Sequence, residues 1–277
     1  MSQEIAAGGV RKMRTELKDP VHYHMILGDQ ELLLNEYLGA RLKLVYKGAI
    51  HCIACGRKSN KSFNQGYCYP CFRRLAQCDS CIVSPEKCHY HLGTCREPEW
   101  GEANCMRDHF VYLANTSGLK VGITRGTQVP TRWIDQGAVQ AKPIFRVSNR
   151  LQSGLVEVIF AKHIADKTNW QAMLKGEPEP IDLESARQRL VDECAAEVQA
   201  VRDEHGVQAI TELSDQDETQ IRFPVLEYPT KVKSFNLDKA PEVEGTLLGI
   251  KGQYLIFDTG VINMRKYGGY ELALYKE

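Results

Sequence analysis

The sequence predicts an α+β fold in which strands from both ends of the chain form one β barrel or sandwich, with the middle of the chain inserted between them. Short β-rich segments punctuated by glycines occur at 23–50 and again at 224–277. Neither group has enough strands for a stable sheet by itself, so we expect the two ends to pair. Most cysteines lie between these groups, and apolar residues at helical spacing follow them.

Four segments follow from these changes of composition along the chain. They are N-terminal strands at 1–50, a zinc-binding module at 51–107, a small α/β domain with a helical extension at 108–215, and C-terminal strands at 216–277. The chain is long enough for several small domains with a real core. No internal repeat is evident from the sequence.

The sequence predicts the cellular compartment because it contains neither a membrane-spanning segment nor a signal peptide. No apolar run approaches the roughly 18–20 residues needed to cross a bilayer. The first twenty residues carry charges throughout and have no apolar stretch typical of a signal peptide. We therefore expect a cytoplasmic protein without a membrane partner. In a reducing compartment the 10 cysteines are thiols or metal ligands rather than disulfides.

Charge is unevenly distributed although the formal net charge is +0. Residues 111–176 carry nine basic and three acidic side chains, whereas 177–223 carry four basic and thirteen acidic ones. A basic segment is typical of a protein with a phosphate-bearing partner, here DNA or RNA. The alternative is that the two segments neutralise each other within the fold, and composition leaves both open.

The strongest motif is a pair of CxxC turns. Cys52 and Cys55 form the first, Cys68 and Cys71 the second, with twelve residues between them. Each turn can direct two thiolates at one ion, and two turns complete a tetrahedral Zn²⁺ site with no open position. Such a closed site stabilises a fold rather than catalysing a reaction.

A second cysteine group predicts a second Zn²⁺ site. It comprises Cys78, Cys81, Cys88, Cys95 and Cys105. Five thiols exceed the four ligands that tetrahedral zinc takes. We favour Cys81, Cys88, Cys95 and Cys105 as the zinc ligands, with Cys78 or His91 as possible substitutes. The alternative is an iron–sulfur cluster, which could use the same thiols.

Four short features in the middle of the chain follow one another in a recognisable order. They are Val111-Tyr112, Lys120-Val121-Gly122, Arg132 in a helical segment and Glu157 in a later helix. This order resembles the GIY-YIG nuclease superfamily over about residues 108–175, with lysine at 120 where that superfamily usually has tyrosine. The resemblance implies a small α/β domain that cleaves phosphodiesters with a divalent metal.

The resemblance assigns catalytic roles to these residue types. Glu157 would hold Mg²⁺ or Mn²⁺, Arg132 would clamp the scissile phosphate, and Tyr112 would position the attacking water. Lys120 would add positive charge but is a poor substitute for a tyrosine base. The structural alternatives are a core tyrosine at 112 and an ion pair between Arg132 and Glu157. We expect nucleic-acid contacts from Arg125, Arg132, Arg150 and Lys162.

The whole chain also resembles a bacterial family of uncharacterised zinc-cysteine proteins. The matching stretches include 81–89, 94–101, 131–138, 166–170 and 249–258. We therefore expect a zinc-binding, nucleic-acid-binding protein with a degenerate GIY-YIG-like domain that cleaves phosphodiesters with a divalent metal. The alternative is a non-catalytic zinc adaptor that binds RNA, DNA or a protein partner.

Overall fold

The computed structural model describes residues 3–165 and 167–277, so Asp166, part of one matching stretch, lies outside the described residues. The chain divides into two compact units. The first contains the residues up to Arg74, Leu174–Gly176 and Ile221–Glu277, and the second contains Leu75–Met173 and Glu177–Gln220. The cysteine-rich segment 51–107 therefore contributes to both units.

The regular elements confirm an α+β chain. The strands are β1 (Gln3–Gly9), β2 (Arg14–Glu16), β3 (His22–Leu27), β4 (Gln30–Leu33), β5 (Arg41–His51), β6 (Lys58–Ser59), β7 (His109–Asn115), β8 (Leu119–Arg125), β9 (Gln140–Val147), β10 (Ile210–Glu212), β11 (Thr219–Gln220), β12 (Glu242–Lys251), β13 (Tyr254–Phe257), β14 (Gly260–Asn263) and β15 (Tyr270–Lys276). The helices are α1 (Tyr69–Arg74), α2 (Pro98–Asn104), α3 (Thr131–Asp135), α4 (Arg150–Phe160), α5 (Trp170–Met173) and α6 (Leu183–His205). No helix within the described ranges combines the length and apolarity needed to cross a membrane.

The first unit contains two antiparallel sheets. Seven strands form one sheet in the order β1-β15-β5-β12-β13-β14, with β6 beside β5, and β2-β3-β4 form the other. The central ladder joins β5 to β15, with Leu44 opposite Leu274. The expected pairing of the two chain ends is therefore confirmed.

The predicted barrel is wrong, because no sheet closes on itself among the strands of the described residues. The largest sheet has β1 at one end and β14 at the other. The N-terminal strands β2, β3 and β4 pair with one another in a separate sheet.

An internal repeat, which the sequence did not reveal, relates the two halves of this unit. Each half contains a hairpin (β3-β4 or β13-β14), a 3₁₀ turn and a long strand (β5 or β15). Equivalent residues are 230 positions apart, as for Leu44 and Leu274 (274 minus 44), which face each other in the central ladder.

The cross-links between the halves repeat as well. Gly39 N donates to Leu247 O at 2.8 Å, and Gly269 N, 230 residues later, donates to Val10 O at 2.9 Å. The return bonds match too, since Leu247 N donates to Ala40 O and Val10 N donates to Tyr270 O, both at 2.9 Å. The residue pairs 39–40 and 269–270 thus make the same pattern of backbone hydrogen bonds with the opposite half, although their partners Val10 and Leu247 are 237 positions apart.

The second unit contains a five-stranded antiparallel sheet with helices packed on it. The strand order is β10-β9-β7-β8, with β11 beside β9. The side chain of Asn149 caps α4 by accepting from Gln152 N at 3.0 Å. Helix α4 contributes Val156 and Phe160 to the core that the sheet shares with α6. The predicted long helix at about 183–204 is confirmed as α6.

Candidate functional site

The first candidate metal centre lies where β5 ends. Cys52 follows that strand directly, and Cys71 lies in α1. Their sulfurs and those of Cys55 and Cys68 all lie within 4.8 Å of one another. The sulfurs of Cys55 and Cys68 are 3.7 Å apart. The four side chains that the CxxC spacing selects therefore converge on one point.

The loop that carries Cys52 and Cys55 is closed by backbone hydrogen bonds. Gly56 N donates to Cys52 O at 2.9 Å, and Ile53 N donates to Gly66 O at 2.8 Å. Gly56 has a φ of 71°, which favours glycine. This local geometry turns both thiols toward the centre.

Burial, backbone amides and neighbouring thiols shift the pKa values of two cysteines in this centre. Burial alone would raise the pKa of Cys52, but backbone amides of Cys68 and Cys55 outweigh it and lower that pKa to about 6. Burial and the neighbouring thiols of Cys55 and Cys68 raise the pKa of Cys71 to about 12. A divalent cation would remove this mutual repulsion, and four closed thiolates suit zinc. The cluster could therefore bind Zn²⁺.

The second cysteine group lies in the second unit around a small cavity of about 10 Å³. Four of its five cysteines line the cavity: Cys81, Cys88, Cys95 and Cys105. Cys78 is buried outside the cavity lining, and His91 is exposed. The cavity is thus lined by the four thiols that we favoured.

Asp79 is a neighbour of this group that sequence reasoning missed. Ligand atoms of Asp79, Cys81 and His89 lie within 4.8 Å of one another. Burial would raise the pKa of Asp79, but Arg96, whose Nε lies 2.7 Å from Asp79 Oδ2, lowers it. Its position between the cysteines of a CxxC turn was the signal available in the sequence.

The residues selected by the superfamily resemblance lie on the sheet and helices of the second unit. Tyr112 in β7 is opposite Gly122 in β8. The Tyr112 hydroxyl lies 2.7 Å from the side-chain amide of Gln136. When the side-chain amide oxygen of Gln136 faces Arg132, this oxygen accepts hydrogen bonds from Arg132 Nη2 at 3.1 Å and from Arg132 Nε at 3.3 Å. The amide nitrogen of Gln136 then donates to the hydroxyl oxygen of Tyr112. Gln136 therefore links the buried phenol to the guanidinium.

Two of the other three residues predicted to act in catalysis, Arg132 and Glu157, act electrostatically on Tyr112. Burial raises its pKa to about 12, with Arg132 opposing and Glu157 reinforcing the shift. Tyr112 is fully buried, whereas Arg132 and Glu157 are half-buried. Arg132 and Glu157 therefore both lie near enough to Tyr112 to act on it electrostatically. At pH 7 the phenol is protonated and acts as a hydrogen-bonding group.

Lys120 occupies the second half-motif and is only 3% exposed. It lies in β8 opposite Ala114 and forms a parallel bridge with Ala165. Burial on this scale separates the side chain from bulk water. The proposed addition of charge at the phosphate stays a prediction.

The remaining residues predicted to contact nucleic acid have protein partners. Arg125 donates to the Asn104 side chain, and Lys162 pairs with Glu197. Arg150 is more deeply placed, and its Nη2 donates to Ile82 O at 2.6 Å. Burial lowers the pKa of both Arg125 and Arg150.

His109, at the start of β7, is a buried titratable group that no motif indicates. Its Nδ1 donates to Arg107 O at 2.7 Å, and its Nε2 has no hydrogen-bond partner among the described residues. Burial, aided by the positive charges of Arg150 and Arg125, lowers the pKa of His109 to about 4. The imidazole is therefore neutral at pH 7.

Comparison with known proteins gives one match. The model of a family described as "Protein of unknown function (DUF2797)" matches residues 39–272. No curated protein and no solved structure matches the chain.

Proposed function

The chain belongs to the DUF2797 family, as the whole-chain resemblance predicted, and because that family's description assigns no function we propose one from the geometry. We propose that the protein binds DNA or RNA through the phosphate backbone at Arg132. A divalent cation held at Glu157 would then allow phosphodiester cleavage. In this proposal the zinc centre at Cys52, Cys55, Cys68 and Cys71 stabilises the first unit and takes no part in catalysis.

The observation that carries the proposal is the chain of contacts from Tyr112 through Gln136 to Arg132. The Gln136 amide holds the guanidinium at 3.1 Å and is itself fixed by the buried phenol. A guanidinium fixed before the ligand arrives loses less conformational freedom on binding phosphate. Its planar donors match two phosphate oxygens. Arg132 therefore has the support expected of a phosphate ligand.

Glu157 supplies the carboxylate of the site. It is half-buried and acts electrostatically on Tyr112, as Arg132 does. One carboxylate with several waters is a common way to bind Mg²⁺ or Mn²⁺. Such an ion would lower the pKa of a bound water to give the attacking hydroxide. Arg132 would stabilise the charge developing on the phosphate, and Tyr112 would hold Arg132 in place.

A second candidate function is a non-catalytic zinc adaptor that binds RNA, DNA or a protein partner. Burial of Tyr112 and Lys120 favours it, because both residues of the paired motifs are then withdrawn from solvent. With a pKa of about 12, Tyr112 is a poor base at neutral pH. Phosphate binding at Arg132 would survive under this alternative, whereas hydrolysis would not.

The test is binding and cleavage of labelled single-stranded and duplex DNA and RNA, with Mg²⁺ or Mn²⁺, at two salt concentrations. Arg132→Ala should weaken binding by about tenfold and reduce its salt dependence. Glu157→Gln should abolish cleavage while leaving metal-free binding unchanged. Arg189→Ala and Glu204→Gln remove charges from exposed positions of α6 and are the matched controls.

The outcomes separate the two candidates. Cleavage that Glu157→Gln abolishes supports the nuclease. Salt-dependent binding that only Arg132→Ala weakens, with no cleavage, supports the adaptor. If no nucleic acid binds at either salt concentration, the nuclease and the nucleic-acid-binding adaptor are both wrong, and an adaptor that binds a protein partner is the form that is left.

A further inference from the structure

The segment between Leu75 and α2 has little regular structure to hold it in place. It consists of 3₁₀ turns at Ala76–Cys78, Ser80–Ile82, Pro85–Lys87 and Tyr90–Leu92. Two of its larger apolar side chains, Val83 and Leu92, are exposed by 79% and 67%. Short 3₁₀ turns have poor hydrogen-bond geometry and do not stabilise a segment of this length. Another source of folding free energy is required.

Four thiols of this part of the chain line the small cavity: Cys81, Cys88, Cys95 and Cys105. Cys88 and Cys105 are 7% and 6% exposed, and Cys81 interacts electrostatically with both. Cys105 interacts in turn with Cys95. The cavity of about 10 Å³ that they line is close to the volume of a single water-sized sphere. Its sulfur lining suits one ion, and because the four sulfurs do not form a group within 4.8 Å of one another among the described residues, binding would draw them together.

We propose that Cys81, Cys88, Cys95 and Cys105 bind a second Zn²⁺ ion, and that this ion fastens the segment to the N-terminal half of α4. The first part concerns metal binding alone and is independent of any nucleic-acid function. The consequence for Glu157, which α4 carries, rests on the proposed function.

Asp79 and His89 are nearby but already have partners. Asp79 Oδ2 lies 2.7 Å from Arg96 Nε and 3.5 Å from His89 Nε2. His89 Nδ1 lies 2.7 Å from Thr94 Oγ1. Binding a metal through either side chain would break these contacts, whereas the four thiols have no comparable ion pair to lose. Soft thiolates are also the preferred ligands of structural zinc.

Positive charge beside the thiols favours the same ligand set. Four thiolates and one Zn²⁺ carry a net charge of −2, which is costly to bury without compensation. Arg150 and Arg125 both exert electrostatic attraction on Cys105, and Arg150 does so on Cys81. The burial of two guanidinium groups is therefore explained by the anionic centre beside them.

Contacts between the segment and α4 provide the mechanical link. Arg150 N donates to Cys105 O at 2.9 Å, and Arg150 Nη2 donates to Ile82 O at 2.6 Å. At Gly154 the helix approaches the turn so closely that a Cβ atom would lie 2.6 Å from the carbonyl carbon of Pro85. Glu157 is three residues further along α4. Ordering of the cysteine segment by zinc would therefore order the helix that carries this carboxylate.

The experiment is metal analysis of the full chain purified with zinc and, separately, loaded with ¹¹³Cd for NMR. We expect two zinc ions per chain and two cadmium signals in the chemical-shift range of four-sulfur coordination. Cys88→Ser and Cys52→Ser should each retain one ion, at opposite centres. Cys194→Ala, a buried cysteine in the helical core, and Cys78→Ala should retain two.

Three results would overturn the proposal. One zinc ion per wild-type chain would show that the second centre does not bind zinc. A second cadmium signal with the chemical shift of mixed sulfur and nitrogen or oxygen coordination would show that the four thiols are not the complete ligand set. Iron with visible charge-transfer absorption would identify a cluster instead of zinc. The number of zinc ions bound per wild-type chain tests for the second centre even if a cysteine variant does not fold.

The link to α4 has a separate test that leaves every thiol in place. Gly154→Ala should lower the affinity of the second centre for zinc, measured by competition with a chelator, by about tenfold or more. The first centre should be unaffected, and Gly176→Ala, where an added Cβ meets nothing within 4 Å, is the control. Unchanged zinc affinity in Gly154→Ala would contradict the link. Failure of nucleic-acid binding would leave both metal results standing.

Discussion

The phenol ring of Tyr112 lies directly over the backbone of Gly122. The two residues face each other in the β7–β8 ladder, and a Cβ at position 122 would lie 2.7 Å from the tyrosine hydroxyl. Tyr112 and Gly122 therefore fit together by shape. Glycine is required there because a larger residue would displace the ring that supports Gln136.

Gly122→Ala tests this fit. We expect a loss of about 1–3 kcal/mol in the free energy of unfolding, because an added methyl group must move a fully buried ring. Urea unfolding measures the loss. Tyr112→Ala combined with Gly122→Ala should cost less than the sum of the two single changes, since the clash disappears with the ring. Strict additivity would show that the ring does not restrict position 122.

Removal of metal from the first centre should destabilise the first unit. Cys71→Ser replaces a buried ligand of the closed cluster, so we expect a loss of about 4 kcal/mol or more and the loss of one zinc ion. Thermal unfolding with and without a chelator measures the effect. The chelator should lower the Tm of the wild type and have less effect on Cys71→Ser. Equal Tm values for the wild type with and without chelator would contradict a structural zinc ion here.

Burial of His109 should make stability depend on pH. Its pKa falls from 6.5 to about 4 in the folded chain, so the unfolded chain binds a proton more readily between these values. The contribution of neutral His109 to the free energy of unfolding is fully present above pH 6.5 and is lost as the pH falls toward about 4. The loss should be about 3 kcal/mol.

The measurement is the free energy of unfolding against pH for the wild type and His109→Gln. The variant does not titrate at this position, so its profile should be flatter across the same range. His91→Gln, which removes an exposed histidine, is the control. Identical profiles for the wild type and His109→Gln would rule out this contribution.

Two glycines at equivalent positions of the repeat in the first unit should respond unequally to replacement by alanine. Gly39 and Gly269 have φ angles of 80° and 83°, so alanine is strained at both. An added Cβ at Gly39 meets only Leu226 Cδ1 at 3.8 Å, whereas at Gly269 it collides with the carbonyl oxygen of His51. We expect Gly39→Ala to cost about 1–2 kcal/mol and Gly269→Ala about 3 kcal/mol or more. Equal costs by urea unfolding would show that the local neighbours are unimportant.

The sequence by itself determined the features that depend on local spacing. Two CxxC turns brought Cys52, Cys55, Cys68 and Cys71 together, because each turn directs its own two thiols. The predicted helix at 183–204 and the pairing of the chain ends are confirmed for a similar reason, since apolar periodicity and sheet size are readable without tertiary contacts. Membership of an uncharacterised family is confirmed by the match over 39–272.

Only the tertiary structure decided the relationships between distant residues. The open sheet and the exchanged bonds of Gly39 and Gly269 depend on which strands are neighbours, a choice that alternating apolar residues leave undetermined. Likewise, no spacing rule indicates that Tyr112 is buried with its hydroxyl against the side chain of Gln136. Burial and convergence are properties of the packed chain, and they set the chemistry of its thiols and of its phenol.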